Sequence, residues 1–476
     1  MQFKNTFSKN IVKNYSLAFC ALLSTTMLLP TTNAQTLEQA VAQALDNNPE
    51  LRIALTRFKV TEERFNEATS GYLPTIDLAA GYGYEETNSP STRRGINSID
   101  GDGQAGLKRG ELSLSIRQIL FDGFFTGNEV SRTEYEASAE QWTLFSTAED
   151  LALDVTRVYN EVITNKEVLS LSEKNLESHK DIYEQIKERT ESGLGSIADL
   201  SQVTGRLARA NVNLIAATNN YRDSVSRFVK LVNNQPEELI LPVPDSAAIP
   251  TKRNDGLTTA LNNHPVIRAS LNDIKAARHA KSTFESGYYP SITFEIDATA
   301  NNNISGEEGI GINVNSATND VGGHNNSASA MIRMSYNLYS GGRNSAQTRA
   351  AAYQISESVE LNQKAHRDVT EGYNLAWNAF ELLTLQLQYI QQHVDAAKQT
   401  QAAYDQQFKL GQRSLLDLLD TENELFEARK DYIEANSENI NAQYRLLNTT
   451  GKLLDSLRIT PSSLWKGERS YEGGVQ

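Results

Sequence analysis

The chain has 476 residues, a formal net charge of −14 at pH 7 and a single cysteine. Because nucleic acid is itself strongly negative, this charge argues against a nucleic-acid partner. One cysteine also excludes an internal disulfide framework.

The N-terminal residues 1–34 predict a cleaved secretory signal. Three lysines among the first thirteen residues precede the apolar run SLAFCALLSTTMLLP, and the segment TTNAQT follows it. We predict cleavage after Ala34, which removes Cys20 and leaves no thiol in the mature chain. A lipoprotein at Cys20 is the weaker alternative, because the large Phe19 precedes it.

The next part of the chain predicts a helix, two strands and two further helices. A helix over 36–70 leads into strands at 75–86 and 111–121, in which apolar and polar residues alternate. From 125 to 191 apolar residues recur every three or four positions without a proline, which is typical of a coiled-coil helix about 100 Å long. A glycine turn and a shorter helix over 197–233 follow.

The remaining chain predicts the same order of elements again. A proline-rich linker over 235–255 comes first, and residues 459–476 form a predicted mobile tail. Between them we predict a helix over 256–286, strands at 291–301 and 327–339, a long helix over 343–409, a glycine turn and a helix over 414–455.

Short sequence motifs also recur in the two halves of the chain. SGYLPTIDL begins at Ser70 and SGYYPSITF begins at Ser286, an offset of 216 residues. A repeat of this length is too long for a solenoid unit of roughly 20 to 50 residues. We therefore interpret 35–234 and 256–458 as two duplicated halves, with the linker lying at the middle of the molecule.

The four predicted strands have features of transmembrane strands. Each has about the 9 to 11 residues that a tilted strand needs to cross a bilayer, and aromatic residues gather at the strand ends. On alternation alone, an ordinary half-exposed sheet in a soluble domain is favoured. If the strands do cross, four are too few to close a barrel, so subunits must share it, and two, three or four chains remain possible.

The order of elements and several stretches resemble the TolC family of outer-membrane export channels. The stretches are SGYLPTIDL, SGYYPSITF and LGQRSLLDLLDTENELFEARKDYIEANSENINAQYRLLNTTGKL, and the resemblance covers roughly 36–458. It implies a homotrimer in the outer membrane of a Gram-negative bacterium. Long coiled-coil helical hairpins would form a periplasmic tunnel, and each chain would give four strands to a shared twelve-stranded transmembrane β-barrel.

The resemblance also implies partners. These are a periplasmic adaptor protein and an inner-membrane ABC transporter or other efflux pump, besides the lipid of the outer membrane. The C-terminal sequence is most similar to that of members that serve type I secretion, particularly of large adhesins. Multidrug efflux is the alternative function. A different class, a periplasmic coiled-coil adaptor with soluble sheets, stays open from the sequence patterns alone.

Residues beside the two glycine turns, at Gly195 and Gly411, receive roles from the resemblance. Aspartates at the positions of Asp417 and Asp420 line the periplasmic entrance in the family. Residues three apart share a helix face, so threefold symmetry would bring six carboxylates together and attract cations. The alternative is that Asp417 is a helix-end acid stabilised by the helix dipole and that Asp420 is merely solvated.

Three further entrance contacts follow from the same resemblance. Arg413 matches an arginine that ties the closed entrance to the neighbouring coil, and Asp199 matches an aspartate on the opposing turn. Phe408 stands where the family's well-known member has a tyrosine and lacks the hydroxyl for that member's hydrogen bond. We therefore expect the contacts of the closed state to be built differently or to be weaker here.

Two arginines, Arg117 and Arg333, occupy equivalent positions in the two halves on the inward faces of their strands. They would either ring the lumen with positive charge or pair with Asp77, Glu295 or Asp297 inside it. The sequence favours neither outcome.

The sequence contains no sign of catalysis. Its six histidines lack metal-ligand spacing on a common element, and His179 falls in the coiled-coil seam, where we expect it to pack. There is no phosphate-binding glycine loop and no nucleophile elbow. We therefore expect no enzymatic activity, no cofactor and no metal site, and we expect a partner to supply the energy for transport.

Overall fold

The computed structural model of the protein describes residues 34–87, 105–306 and 323–467. The predicted signal peptide, except for Ala34, lies outside the described residues. So do parts of the loops that join the strands of each pair, and the last residues of the predicted tail.

The described part of the first half alternates helices and strands in the predicted order. Its elements are β1 (Ala34–Gln35), α1 (Leu37–Asn47), α2 (Pro49–Ser70), β2 (Thr75–Thr87), β3 (Ala105–Phe121), α3 (Phe125–Glu191) and α4 (Ile197–Val232). The second half follows with β4 (Glu238–Leu239), α5 (Arg253–Asn263), α6 (Pro265–Glu285), β5 (Ser291–Gly306), β6 (Gly323–Ser335), α7 (Arg343–Lys409), α8 (Leu415–Thr449) and α9 (Leu453–Ser456). Short 3₁₀ turns lie at Ser286–Tyr288 and Ser463–Lys466.

Two helices that the sequence predicts as continuous are each interrupted before a proline. Asn48 and His264 have extended backbones and cap the following helix, with Asn48 Oδ1 accepting from Glu50 N–H at 2.8 Å. Pro49 and Pro265 then take the first helical position, where the missing N–H costs no hydrogen bond. Each predicted helix is therefore a pair, α1 with α2 and α5 with α6.

The four long strands form one antiparallel sheet in the order β2-β3-β5-β6. The register gives the sheet an apolar face, on which Ile76 lies opposite Ile116 and Ile116 opposite Ile296. The other face is polar, with Ser115 opposite Asp297. Within the described residues, β2 and β6 each pair along one edge only, so the sheet has two open edges.

The last strand ends earlier than its alternating pattern suggests. The pattern predicts a strand over 327–339, whereas β6 stops at Ser335. Asn337 Oδ1 accepts from Tyr339 N–H at 3.0 Å and bends the chain. Gly341 and Gly342 follow with φ of +65° and +84°, and α7 begins directly after them.

The helices pack as two hairpins, α3 with α4 and α7 with α8, and both long helices have 67 residues. The main apolar core lies around the middle of α3, where α1, α2, α4 and α8 meet it. At its centre Tyr159 Oη lies 2.7 Å from the carbonyl oxygens of both Gln35 and Ile240, which fixes the β1 and β4 segments to α3. No helix among the described residues is long and apolar enough to cross a membrane.

The first part of the predicted mobile tail packs against the helices instead. Trp465 is only 5% exposed and meets the Phe145 ring at a steep angle. Gln141 Nε2 donates to the carbonyl oxygen of Trp465 at 2.7 Å. A buried aromatic ring and a buried hydrogen bond hold the chain here. Residues 459–467 are therefore packed against the helices, whereas the sequence predicts that they are mobile.

Candidate functional site

The ends of the two hairpins, which we call the tips, are short turns built on glycine. Gly193 and Gly411 have φ of +74° and +71°, a conformation that side chains with a Cβ rarely adopt. Gly195 is needed for a different reason, because a Cβ there would lie 2.7 Å from Thr190 Oγ1. The two predicted turn glycines therefore serve different purposes, and Gly193 supplies the left-handed residue of the first turn.

An apolar cluster joins all four helices at the tips. Phe408 of α7 packs against it, and the guanidinium of Arg189 lies 5.8 Å from the centre of the Phe408 ring. Here the ring makes packing and cation–π contacts, for which a phenol hydroxyl is not required. The buried members of this tip cluster are Ile186, Val203, Leu415 and Leu419.

Asp417 lies in the first turn of α8 and caps it. Asp417 N–H donates to Ser414 Oγ at 3.2 Å, and Ser414 N–H donates to the Asp417 carboxylate at 3.3 Å, which is a capping box. Arg413 Nη1 lies 3.9 Å from the same carboxylate. The helix-end role that the sequence left open for Asp417 is therefore present in the subunit.

Arg413 makes its other contacts within its own hairpin. Its guanidinium lies 4.2 Å from the centre of the Tyr404 ring, and its Nε donates to Gln407 Oε1 at 2.9 Å. Asp199 is partly exposed in the first turn of α4. No hydrogen bond or ion pair joins Asp199 to Arg413 in the described chain, so any contact of Arg413 with a neighbouring coil stays a prediction.

Asp420 is paired rather than merely solvated. Arg206 Nη2 of α4 donates to Asp420 Oδ1 at 2.7 Å, across the boundary between the two hairpins. The sequence does not point to this partner, because 214 positions separate Arg206 from Asp420. One signal for a role of Arg206 was present in the sequence. Arg206 lies three positions after Val203, on the same helix face, and Val203 belongs to the tip cluster.

A polar groove runs between α7 and α8 just above the tips. His393 Nε2 lies 2.8 Å from Glu424 Oε1 at the end farther from the turn. The described residues contain no group of three side chains with the arrangement of a metal site. The groove is lined by His393, Thr400, Tyr404, Asp417, Asp420 and Glu424.

The two arginines of the sheet share one carboxylate. Arg117 Nε lies 3.3 Å and Arg333 Nε 2.9 Å from the oxygens of Glu295, whose side chain is 10% exposed. Of the three pairing partners that the sequence left open, Glu295 is the one that both arginines contact at ion-pair distance. Whether this polar face lines a lumen stays a prediction.

Comparison with known proteins gives a consistent result. A family model described as "Outer membrane efflux protein" matches residues 40–234 and 256–452. The outer membrane efflux protein BepC of Brucella suis is 24% identical over 458 residues, covering 96% of this chain and 94% of BepC. The outer membrane protein TolC of Escherichia coli is 24% identical over 434 residues, covering 88% and 83%.

Two further matches bear on function and fold. The alkaline protease secretion protein AprF of Pseudomonas aeruginosa is 21% identical over 434 residues, covering 89% of this chain and 86% of AprF. Among solved structures, the CmeC outer membrane channel of Campylobacter jejuni superposes with a TM-score of 0.74 at 15% identity. The superposition covers 88% of this chain and 86% of CmeC.

Proposed function

Because the chain belongs to the outer membrane efflux protein family, whose members are non-enzymatic channels of the Gram-negative outer membrane, we propose that it is the outer-membrane conduit of an export complex. An inner-membrane transporter and a periplasmic adaptor would load the conduit at its tips and supply the energy. The competing idea of a periplasmic adaptor loses its support, since the family is one of outer-membrane proteins.

The single observation that carries the proposal is the open sheet at one end of the long helices. Its two open edges, β2 and β6, leave backbone groups unpaired within the described chain. Lipid tolerates no unpaired edge, so neighbouring copies would have to pair β6 of one with β2 of the next. Three copies of this four-stranded sheet would supply twelve strands to a shared barrel.

The orientation of the sheet follows from its two faces. The apolar face carries exposed side chains, with Leu78 and Ile332 each 70% exposed in the single chain. We propose that this face contacts lipid and that the face of Arg117, Glu295 and Arg333 lines the lumen. The helical hairpins then extend into the periplasm and end at the tips, which form the entrance.

The cargo that we place first is protein, exported by type I secretion. The resemblance of the C-terminal sequence to members that serve type I secretion supports this choice. So does the similarity to a protein named for alkaline protease secretion. Drug efflux is the second candidate, and similarity to an efflux protein of comparable length supports it. The two candidates share the conduit and differ in the transporter.

The proposal is tested by single-channel recording of the purified protein in a planar lipid bilayer, beside Asp417→Ala, Asp420→Ala and the double variant. We expect stable channels in the unmodified protein and a change in cation block when both carboxylates are removed. Well-folded protein that never inserts and carries no current would overturn the conduit.

Cargo is tested separately in cells that lack this chain. We expect loss of one or more large secreted or surface proteins, restored by the unmodified chain, with unchanged sensitivity to small toxic compounds. Increased sensitivity to such compounds together with normal protein secretion would favour drug efflux instead.

A further inference from the structure

Two arginines on the polar face of the sheet converge on one buried carboxylate. Arg117 of β3 and Arg333 of β6 lie on either side of β5, the strand of Glu295, and Arg117 is directly opposite Glu295 in the register. The Glu295 carboxylate lies 3.3 Å from Nε of Arg117 and 2.9 Å from Nε of Arg333. It also accepts a hydrogen bond from Thr293 Oγ1 at 3.2 Å. The carboxylate therefore holds the Nε atom of each guanidinium close to the sheet.

The outer atoms of both guanidinium groups stay available for a ligand. The side chains of Arg117 and Arg333 are 60% and 57% exposed, whereas that of Glu295 is 10% exposed. Within the described chain, neither arginine donates a hydrogen bond from Nη1 or Nη2. A guanidinium has five N–H donors, and most of them belong to these two atoms. The structure therefore presents two sets of unused donors above a buried acceptor.

The charge and shape of this group suit a carboxylate ligand. One carboxylate between two guanidinium groups leaves a net charge of one positive unit, so a second carboxylate would balance it. The planar fork of a guanidinium matches the two oxygens of a carboxylate better than an ammonium does. Because Glu295 already restrains both arginines, little side-chain entropy remains to be lost when a ligand binds.

The surroundings of the two arginines leave room for a polypeptide and limit where it is held. The row of residues next to them, farther from the helices, contains Asp77 and Asp297, and neither forms an ion pair with an arginine in the described chain. An anion is therefore attracted at the arginines and repelled one row farther out. The side chains in the row beyond are small and uncharged. That row is formed by Ala79, Ser113, Thr299 and Ser327.

We propose that Arg117 and Arg333, held by Glu295, form an anion site that transiently binds the carboxylate groups of an acidic polypeptide passing through the barrel. This rests on the proposed function, since only in a conduit does the polar face meet a cargo. Three copies would place six guanidinium groups around one level of the lumen. A chain that carries several carboxylates would contact more than one of them at a time, which lengthens its residence.

The first test measures how long an oligoglutamate peptide interrupts the current of single channels in a planar bilayer. The peptide is added on the side of the barrel, so that it reaches the arginines without passing the tips. We expect Arg117→Gln combined with Arg333→Gln to shorten the interruptions by about 1.4- to 5-fold for each guanidinium that the peptide contacts. Lys108→Gln is the matched control, because it removes a positive charge from the opposite face of β3. It should leave the interruptions unchanged.

Lysine substitutions separate a built site from diffuse positive charge. Arg117→Lys combined with Arg333→Lys keeps the charge and removes both planar forks. We expect this variant to release oligoglutamate faster than the unmodified protein does, although its charge is the same. Interruptions as long as those of the unmodified protein would show that net charge alone acts on the peptide, and would overturn the site.

A small free anion is the other ligand of the same chemistry, and acetate tests it. Acetate at the same total carboxylate concentration should not interrupt the current, because it contacts one subunit at a time. Interruptions equal to those caused by the peptide would contradict a polypeptide as the ligand. Channels in which the double glutamine variant leaves the peptide's interruptions unchanged would overturn the anion site. Absence of any channel in the unmodified protein would instead overturn the conduit itself.

Discussion

At the scale of single residues, the acidic side chains predicted at the entrance already have partners within their own subunit. Asp417 caps α8 and lies near Arg413, and Asp420 pairs with Arg206. In the proposed trimer, an arginine would therefore lie beside each carboxylate of the ring. We expect such an entrance to attract cations less strongly than six free carboxylates would.

Outside the tips, Trp465 anchors the C-terminal segment to the long helix α3. We expect Trp465→Ala to lower the free energy of unfolding by about 3 kcal/mol, because it empties a packed site against Phe145 and releases the segment held by Gln141. Thermal unfolding monitored by circular dichroism measures the change. Leu464→Ala is the control, since this neighbour is exposed, and equal effects of the two substitutions would contradict the packing.

At the scale of elements, α9 depends on a buried carboxylate of another helix. Glu149 of α3 accepts from Leu453 N–H at 3.1 Å and Leu454 N–H at 3.3 Å, the first N–H groups of α9. Burial nevertheless raises the pKa of Glu149 to about 8. Burial likewise raises the pKa of Asp273 in α6 to about 6, with the nearby carboxylates of α3 adding to the effect.

These raised pKa values predict that the helical bundle is more stable in mild acid. A group whose pKa is higher in the folded than in the unfolded chain stabilises the fold fully below its unfolded pKa. That contribution is lost as pH rises through the folded value. For Glu149 the window runs from about 4.5 to about 8. We expect the melting temperature to fall between pH 5 and pH 9, by the equivalent of about 1 kcal/mol or more.

Glu149→Gln should flatten this profile, because glutamine keeps an acceptor for the two N–H groups and has no proton to lose. Glu177→Gln, an exposed change on the same helix, is the control and should leave the profile as it was. A profile equally steep in Glu149→Gln and the unmodified protein would show that another group is responsible.

At the scale of the whole molecule, the charge on the polar face of the sheet would lie inside the proposed conduit. Each subunit contributes two arginines that share Glu295, so the three side chains carry a net charge of one positive unit. In the proposed trimer this polar face surrounds the permeating ions.

Glu295→Gln should therefore shift ion selectivity toward anions, because two guanidinium groups per subunit lose their shared carboxylate. The reversal potential under a salt gradient measures this shift. Glu86→Gln is the matched control, since Glu86 lies on β2 on the opposite face of the sheet. Equal shifts for both variants would contradict the assignment of the faces.

Long-period patterns in the sequence predicted the large elements well. The helices predicted over 125–191 and 343–409 have the same bounds as α3 and α7, because proline-free apolar spacing persists to the glycine at each end. Local signals, such as a single proline, predicted the helix boundaries less well. Pro49 and Pro265 lie inside apolar patterns that continue across them, so the two interruptions were missed.

At the tips, prediction is limited to what one segment of the sequence contains. Asp417 and Asp420 were found because they lie in a recognisable stretch of sequence. Arg206 was not found, because its contact depends on how two separately folded hairpins pack. The same limit applies to the tail, where no periodicity marks Trp465 as buried.

The equal length of α3 and α7 has a mechanical consequence. Inserting one residue in a helix moves its tip by about 1.5 Å and turns it by about 100°. An insertion in one long helix alone would therefore shift its glycine turn along the helix axis relative to the other turn. It would also rotate one tip away from the other. Additions of whole heptads, made in both long helices and matched in the facing coils, would lengthen the molecule while keeping the two tips together.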